Sequence, residues 1–342
     1  MQQAVVVKSP KAPFTLESLP IPTPAKGEIL VKIHSVALNP ISWRQRAFDV
    51  LVDEYPVVLG SDVAGVVEQV GEGVQGFKKG ERVFAGLLHG GFQQYVAFPV
   101  AIALRIPDNI TYDQVSTFPV AFPTACVGLF APAPIGIGLN PTFSWDKPQR
   151  GESALVIGSG SVAQFAIQLL KFLGFTRIIA YASLRHEAYL RELGATDVVD
   201  RTAVPLEELV VSPPVKVVYD AVGSGFKTAC ECVVDGGSIV TVSPMPISLP
   251  TGKTVAVSQV QGYYYGPDVV GPKRNDVVGY LAVPEHTTFG KVVMRELPEL
   301  LAKGVVVANP VEVLPNGVAG VIEGLERLQK GSVSGVKLVA HP

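Results

Sequence analysis

Ala154-Leu155-Val156-Ile157-Gly158-Ser159-Gly160-Ser161-Val162-Ala163 decides the fold. Four consecutive apolar residues suit a strand buried on both faces, and the G-x-G-x-x-A pattern closes that strand and opens a helix. Val162, Phe165, Ala166, Leu169, Leu170 and Leu173 then fall at offsets of 0, 3, 4, 7, 8 and 11, which is one helical face. The glycines allow a tight turn with close backbone approach. The helix N-terminus offers unpaired N–H groups and a partial positive charge to a pyrophosphate. A dinucleotide site built from Gly158, Ser159, Gly160, Ser161 and Val162 is therefore expected, with a purely structural Gly-rich turn as the alternative.

The pattern continues outward from this motif. Strands are expected at residues 177–182, 197–199, 216–219 and 238–242, with a polar helix ending at Leu193-Gly194. Apolar strands alternating with helices specify a parallel, doubly wound sheet. The first ~110 residues read instead as all-β, with strands at 3–8, 28–37, 62–70, 81–85 and 92–98 separated by Pro and Gly turns. A short helix is expected near Ile41, with Asn39-Pro40 as a turn or cap. Near the C-terminus Val318, Val321, Ile322, Leu325 and Leu328 form a second helical face stopped by Gly331, before a strand at 335–340.

Composition agrees with an α/β chain of two domains. At 342 residues the chain exceeds one ordinary core, and 48% hydrophobic against 17% charged residues, with mean hydropathy +0.34, predicts extensive burial. The 34 Gly and 28 Pro, with abundant Val, argue for many short strands and against an all-helical protein. A net charge of −2 gives no field to hold a polyanion, so nucleic acid is a poor partner. Residues 114–145 contain no charge and would be long enough to span a bilayer. Pro119, Pro123, Pro132, Pro134 and Pro141 forbid a lipid-exposed helix there; a buried loop and short helix beside a ligand is the reading. No membrane association is expected. Met1-Gln2-Gln3-Ala4 lacks a secretory pattern, and a cytoplasmic location is expected. Cys126, Cys230 and Cys232 are too few and too scattered for a disulfide framework or a structural zinc site.

Cofactor choice is readable at the end of the strand after the glycine motif. An NAD site would place Asp or Glu there on the ribose, whereas this chain has Tyr181-Ala182-Ser183-Leu184-Arg185-His186. Ser183, Arg185 and His186 suit a 2′-phosphate, so NADPH is expected over NADH. The alternative for Arg185 is an exposed charge at a helix start.

The chain resembles the zinc-independent medium-chain dehydrogenase/reductases, and within them the fungal-type enoyl reductases and quinone-oxidoreductase-like proteins. The resemblance runs nearly end to end through residues 27–32, Ala37-Leu38-Asn39-Pro40, Leu59-Gly60-Ser61-Asp62-Val63-Ala64-Gly65, residues 77–83, Ile106-Pro107-Asp108, Thr124-Ala125, Leu193-Gly194-Ala195 and residues 331–339. It implies a GroES-like β-rich catalytic domain at 1–120 and 287–342, with a Rossmann NADPH-binding domain at 121–286 inserted between. It also implies that metal ligands are missing. Where zinc-dependent relatives carry Cys and His-Glu, this chain has Asn39 and Ser61-Asp62; four residues before Thr124 stands Val120. No metal is expected.

The resemblance further places Asn39 and Thr124 beside the nicotinamide as orienting residues; a turn-forming Asn and a helix-starting Thr are the bland alternatives. Arg201 stands where relatives use a Tyr on the 2′-phosphate. Ala221, Val222, Val242 and Ser243 match the ribose and nicotinamide loops, and Tyr263-Tyr264-Tyr265 is either a cleft wall or an aromatic cluster. Ala163, Ser42 and Arg44 depart from the family pattern, and the sequence names no general acid.

Without a metal, the feasible chemistry is hydride transfer from NADPH to a polarised acceptor. An α,β-unsaturated carbonyl fits, with hydride adding at the β-carbon and a proton at the α-carbon. Quinone reduction, trans-acting enoyl reduction of carrier-bound polyketides and a non-enzymatic NADPH-binding role are the alternatives. A methyltransferase would need an acidic residue where Ala182-Ser183 stand. Either a monomer or a homodimer is compatible with the sequence.

Overall fold

The computed structural model describes residues 1–242, 253–259 and 284–342. Strands β1 (Gln2–Val7), β2 (Phe14–Leu19) and β3 (Glu28–Ala37) precede helix α1 (Pro40–Phe48). They are followed by β4 (Val57–Val58), β5 (Asp62–Val70), β6 (Arg82–Gly86), β7 (Tyr95–Pro99) and β8 (Leu104–Arg105). β1 and β2 make an antiparallel hairpin that the sequence pattern did not announce, because Phe14-Thr-Leu-Glu-Ser-Leu19 lies half exposed and buries no clean face.

Helices α2 (Tyr112–Ser116) and α3 (Ala121–Phe130) occupy the start of the charge-free stretch. Every residue of α3 is buried, so its sequence shows no amphipathic period. Pro123 sits in its first turn, where a missing N–H costs nothing. The rings of Phe118 and Phe122 lie 4.8 and 5.7 Å from that of Phe165, and each buried ring contributes about 1.5–3 kcal/mol. These contacts fix α3 against the helix that follows the glycine motif.

That motif belongs to an alternating series: β9 (Ser153–Ile157), α4 (Ser161–Leu173), β10 (Arg177–Ala182), α5 (Glu187–Leu193), β11 (Asp197–Asp200), β12 (Val215–Asp220), α6 (Phe226–Cys232), β13 (Val233–Thr241) and β14 (Ala256–Gln259). The six strands are parallel in the order β11-β10-β9-β12-β13-β14. Strand order reverses beside β9, which opens a crevice at the carboxyl ends of β9 and β12. Apolar clusters cover both faces of the sheet, as the continuous apolar run of its central strand β9 requires.

Helix α7 (Pro284–Ala302) leads to β15 (Val311–Val313), α8 (Gly320–Gln329) and β16 (Lys337–Ala340). β16 returns to pair antiparallel with β3, in the register Val339↔Ala37 and Ala340↔Val36. Among the described residues the second sheet therefore runs β15-β16-β3-β5-β6-β8, with β7 on β3. No helix among the described residues is long and apolar enough to cross a membrane.

Candidate active site

The glycine turn connects β9 to α4. Gly158 has φ +118°, a conformation that side chains rarely adopt, and a Cβ there would stand 3.1 Å from Val222 Cγ2. Gly160 differs: its backbone is ordinary, and a Cβ would meet nothing within 4 Å. Open space above Gly160, with Ser161 and Val162 starting a thirteen-residue helix, is a cradle that fits a pyrophosphate. Ser159 lends its carbonyl to Gln164 Nε2 at 2.9 Å, which closes the turn from inside.

At the end of β10, Ser183, Arg185 and His186 gather with Arg201 from the end of β11, whose N–H donates to the Ala182 carbonyl at 3.0 Å. Burial, Arg185 and Arg201 together hold the His186 imidazole below its ordinary pKa. His186 Nε2 also lies 2.9 Å from Ser334 Oγ, and a Cβ on Gly335 would run into the His186 ring. The sequence reading that this place holds no carboxylate needs correction. The register Ala182↔Asp200 brings Asp200 alongside. Its carboxylate is engaged, accepting from Thr202 N–H at 3.0 Å and Thr202 Oγ1 at 2.8 Å; these bonds, then the Leu184 N–H and the nearby Arg201, lower its pKa.

The loop after β12 is shaped by Asp220, which is fully buried. Its side chain accepts the N–H groups of Val222, Gly223 and Gly225 at 3.1, 2.9 and 3.0 Å, and the Thr241 hydroxyl at 3.2 Å. Ala221 N–H donates to the Ile157 carbonyl and Val242 N–H to that of Asp220, both at 3.1 Å. Ala221, Val222 and Val242 thus stand at the same sheet edge as Gly158. Ser243 and Tyr263-Tyr264-Tyr265 lie outside the described residues.

Asn39 takes the expected N-cap position of α1, but its side chain does not cap the helix. It turns instead to Asp62, with Nδ2 donating to Oδ2 at 2.7 Å, while Lys337 Nζ donates to Asn39 Oδ1 and lies 3.0 Å from Asp62 Oδ2. All three are buried, Asp62 completely. Desolvation pushes the Asp62 carboxyl above its ordinary pKa, and Lys337, Asn39 and the Val120 N–H offset only part of that. Ser42, Gln45 and Ser61 are buried nearby in sequence, with side-chain atoms that have no hydrogen-bond partner. Thr124 is the fourth residue of α3 and does not start it. Its hydroxyl donates to the Val120 carbonyl at 2.7 Å, and its own carbonyl accepts the Tyr219 hydroxyl at 2.8 Å. Asn39 thus bonds to Asp62 and Thr124 to the carbonyl of Val120, whose N–H lowers the Asp62 pKa, while Asp62 Oδ1 has no hydrogen-bond partner. Among the described residues, no group of three or more His, Cys, Asp or Glu side chains is placed to hold a metal ion.

Sequence reasoning missed the C-terminal contributors to this region. Gln164 Nε2 donates to the Gly335 carbonyl at 3.0 Å, and Asn309 Nδ2 to Gln164 Oε1 at 2.8 Å. Lys337 is pinned by its own N–H on the Pro310 carbonyl at 2.7 Å. Polar residues interrupting an apolar helix face, as Gln164 and Gln168 do, were the available signal.

Two family models match the chain: an alcohol dehydrogenase GroES-like domain over residues 25–108 and a zinc-binding dehydrogenase over residues 161–270. A trans-enoyl reductase of Aspergillus flavipes is 31% identical, over 98% of each chain. Another from Aspergillus terreus is 34% identical over 68% of this chain and 77% of its own. A mycobacterial protein solved in complex with NADPH superposes with a TM-score of 0.74 at 20% identity, over the whole of both chains. That last likeness concerns the fold.

Proposed function

The chain belongs to the medium-chain dehydrogenase/reductase superfamily, and on that premise we propose that it is an NADPH-dependent, zinc-independent reductase of α,β-unsaturated carbonyl compounds. The observation that carries this reading is the Asn39–Asp62–Lys337 cluster. The resemblance sets Asn39 in the place of a Cys ligand and Ser61-Asp62 in that of His-Glu, so Asn39 and Asp62 border the place at which zinc-dependent members activate an alcohol. Here the cation is a lysine ammonium already bonded to both side chains. A chain so equipped lacks a Lewis acid for alkoxide formation and suits acceptors polarised by their own carbonyl.

The fit to the cofactor rests on the cradle over Gly160 and on the cationic cluster. Gly158, Ser159, Gly160, Ser161 and Val162 would hold the pyrophosphate. Ser183, Arg185, His186 and Arg201 would hold the 2′-phosphate, with Asp200 occupied by Thr202. Ala221, Val222, Val242 and Ser243 would border the nicotinamide half. When bound, the reduced dinucleotide supplies a hydride to the β-carbon. Asn39 offers an N–H to oxygen as negative charge develops there, and Thr124 orients the acceptor from α3. Water delivers the proton to the α-carbon. We place the boundaries of the catalytic domain at residues 1–120 and 287–342.

Relatives named trans-enoyl reductases favour an enoyl thioester carried by another protein over a free enone. Loss of reduced-nicotinamide absorbance, measured with enones, enals, enoyl thioesters and quinones, tests both readings. Turnover of enoyl compounds with NADPH and little with NADH is expected. Equal use of NADH, or turnover of quinones alone, would overturn the proposal.

A further inference from the structure

We propose that Lys337 and Asp62 are positioning residues that lock the amide of Asn39 in one orientation. This rests on the reading of Asn39 as a residue facing the nicotinamide and the acceptor. The β3–β16 register, Ala37↔Val339, continues to Leu38, whose N–H donates to the Leu338 carbonyl at 2.9 Å, and so sets Asn39 opposite Lys337. Asp62 enters from the other side, paired with Ala37 in β5. An ammonium only donates and a carboxylate only accepts, so Lys337 must face Oδ1 and Asp62 must face Nδ2. One Nδ2–H is spent on Asp62, and the other remains for a ligand.

The energetics point the same way. A buried ion pair is a poor source of stability, since apolar residues of similar volume usually replace it at no loss. A pair kept at 4% and 0% side-chain exposure is therefore better explained by what it orients than by what it stabilises. The segment carrying Lys337 also touches the cofactor region, through Gly335 on Gln164 and Ser334 on His186. The amide is thus referenced to the nucleotide site and not only to its own sheet.

The test compares an apolar replacement, Asp62→Leu with Lys337→Met, with a neutral hydrogen-bonding one, Asp62→Asn with Lys337→Gln, beside Asn39→Ala. Melting temperature, kcat and KM, and the fluorescence emission of saturating bound NADPH are measured for each. The apolar pair is expected to fold at a near-wild-type melting temperature. It should lose kcat about tenfold to hundredfold with acceptor KM nearly unchanged, matching Asn39→Ala, and the two effects should not add. Its bound-NADPH emission should shift as that of Asn39→Ala does. The polar pair should recover most of kcat and the wild-type emission. If the apolar pair keeps wild-type kcat and emission, or the polar pair is as impaired as the apolar one, the positioning role is wrong. Should the apolar pair fail to fold, Lys337→Met alone against Lys337→Gln alone makes the same comparison. If wild-type protein turned over no acceptor, the reductase reading would fall, and the emission comparison would still decide the role of Lys337.

Discussion

The imidazole of His186 and the hydroxyl of Ser334 meet at 2.9 Å, although 148 residues separate them. The contact anchors the cationic corner formed with Arg185 and Arg201. Arg185→Ala and Arg201→Ala should each weaken NADPH binding about tenfold to hundredfold, the worth of a charge-assisted hydrogen bond, and leave NADH binding unchanged. Titration of NADPH and NADH against each variant checks this, and an unchanged preference would remove the assignment.

Acidity gives the same corner a second signature. Because burial and two arginines hold the His186 pKa below its ordinary value, the ring is neutral at pH 7. The folded value lies below the unfolded one, so the stability linked to this ring is present at neutral pH and declines as pH falls below about 6.5. On the NADPH reading a bound 2′-phosphate would raise the pKa, so binding would take up a proton. The ratio of His186→Gln to wild-type dissociation constants should therefore widen from pH 7.5 to about pH 5.5, with the phosphate's own titration cancelling.

Two glycines of one turn should respond oppositely. Gly158→Ala forces a side chain into φ +118° against Val222 and should cost about 1–2 kcal/mol of stability, read as a lower melting temperature. Gly160→Ala meets no protein atom and should leave the melting temperature near wild type while weakening NADPH at least tenfold. A Gly160→Ala variant that binds NADPH normally would show that the pyrophosphate lies elsewhere.

Asp220→Ala strips the loop after β12 of the acceptor for three N–H groups. A loss of roughly 1–3 kcal/mol is expected in denaturant titration. Dinucleotide affinity should fall with it, since Val222 lies over Gly158.

Metal removal offers the most direct contrast with zinc-dependent relatives. With Lys337 bonded to Asn39 and Asp62, dialysis against a strong chelator should leave NADPH-dependent reduction at its original rate, and added zinc should not raise it. Loss of activity restored by zinc would refute a lysine substitute for the metal.

Legibility from sequence followed the range of the interactions. The β9–α4 turn is local: one strand, two glycines and one helical period reveal it within twenty residues. The parallel sheet follows because β9 to β13 each carry a short apolar run between helical or turn segments, whereas β14, Ala256-Val257-Ser258-Gln259, is too short and polar to announce itself. Lys337 was hidden, because a lysine at the head of a strand reads as surface until Asn39 and Asp62 are brought to it. Gln164, Asn309 and Ser334 were hidden for the same reason, each burying polar atoms against partners more than a hundred residues away. Asp200 was missed because reading along one strand cannot see the neighbour that hydrogen bonding places beside it.

The return of β16 to β3 has a consequence for how the protein is made. Lys337 leaves the ribosome 298 residues after Asn39, a delay of about 15–60 s at 5–20 residues per second. Throughout that time the edge of β3 that will receive β16 lacks its partner strand, and before it ends the whole parallel sheet has been synthesised. The parallel sheet can therefore form first, while Asn39 and the His186 corner are completed only once residues 334–337 have been synthesised.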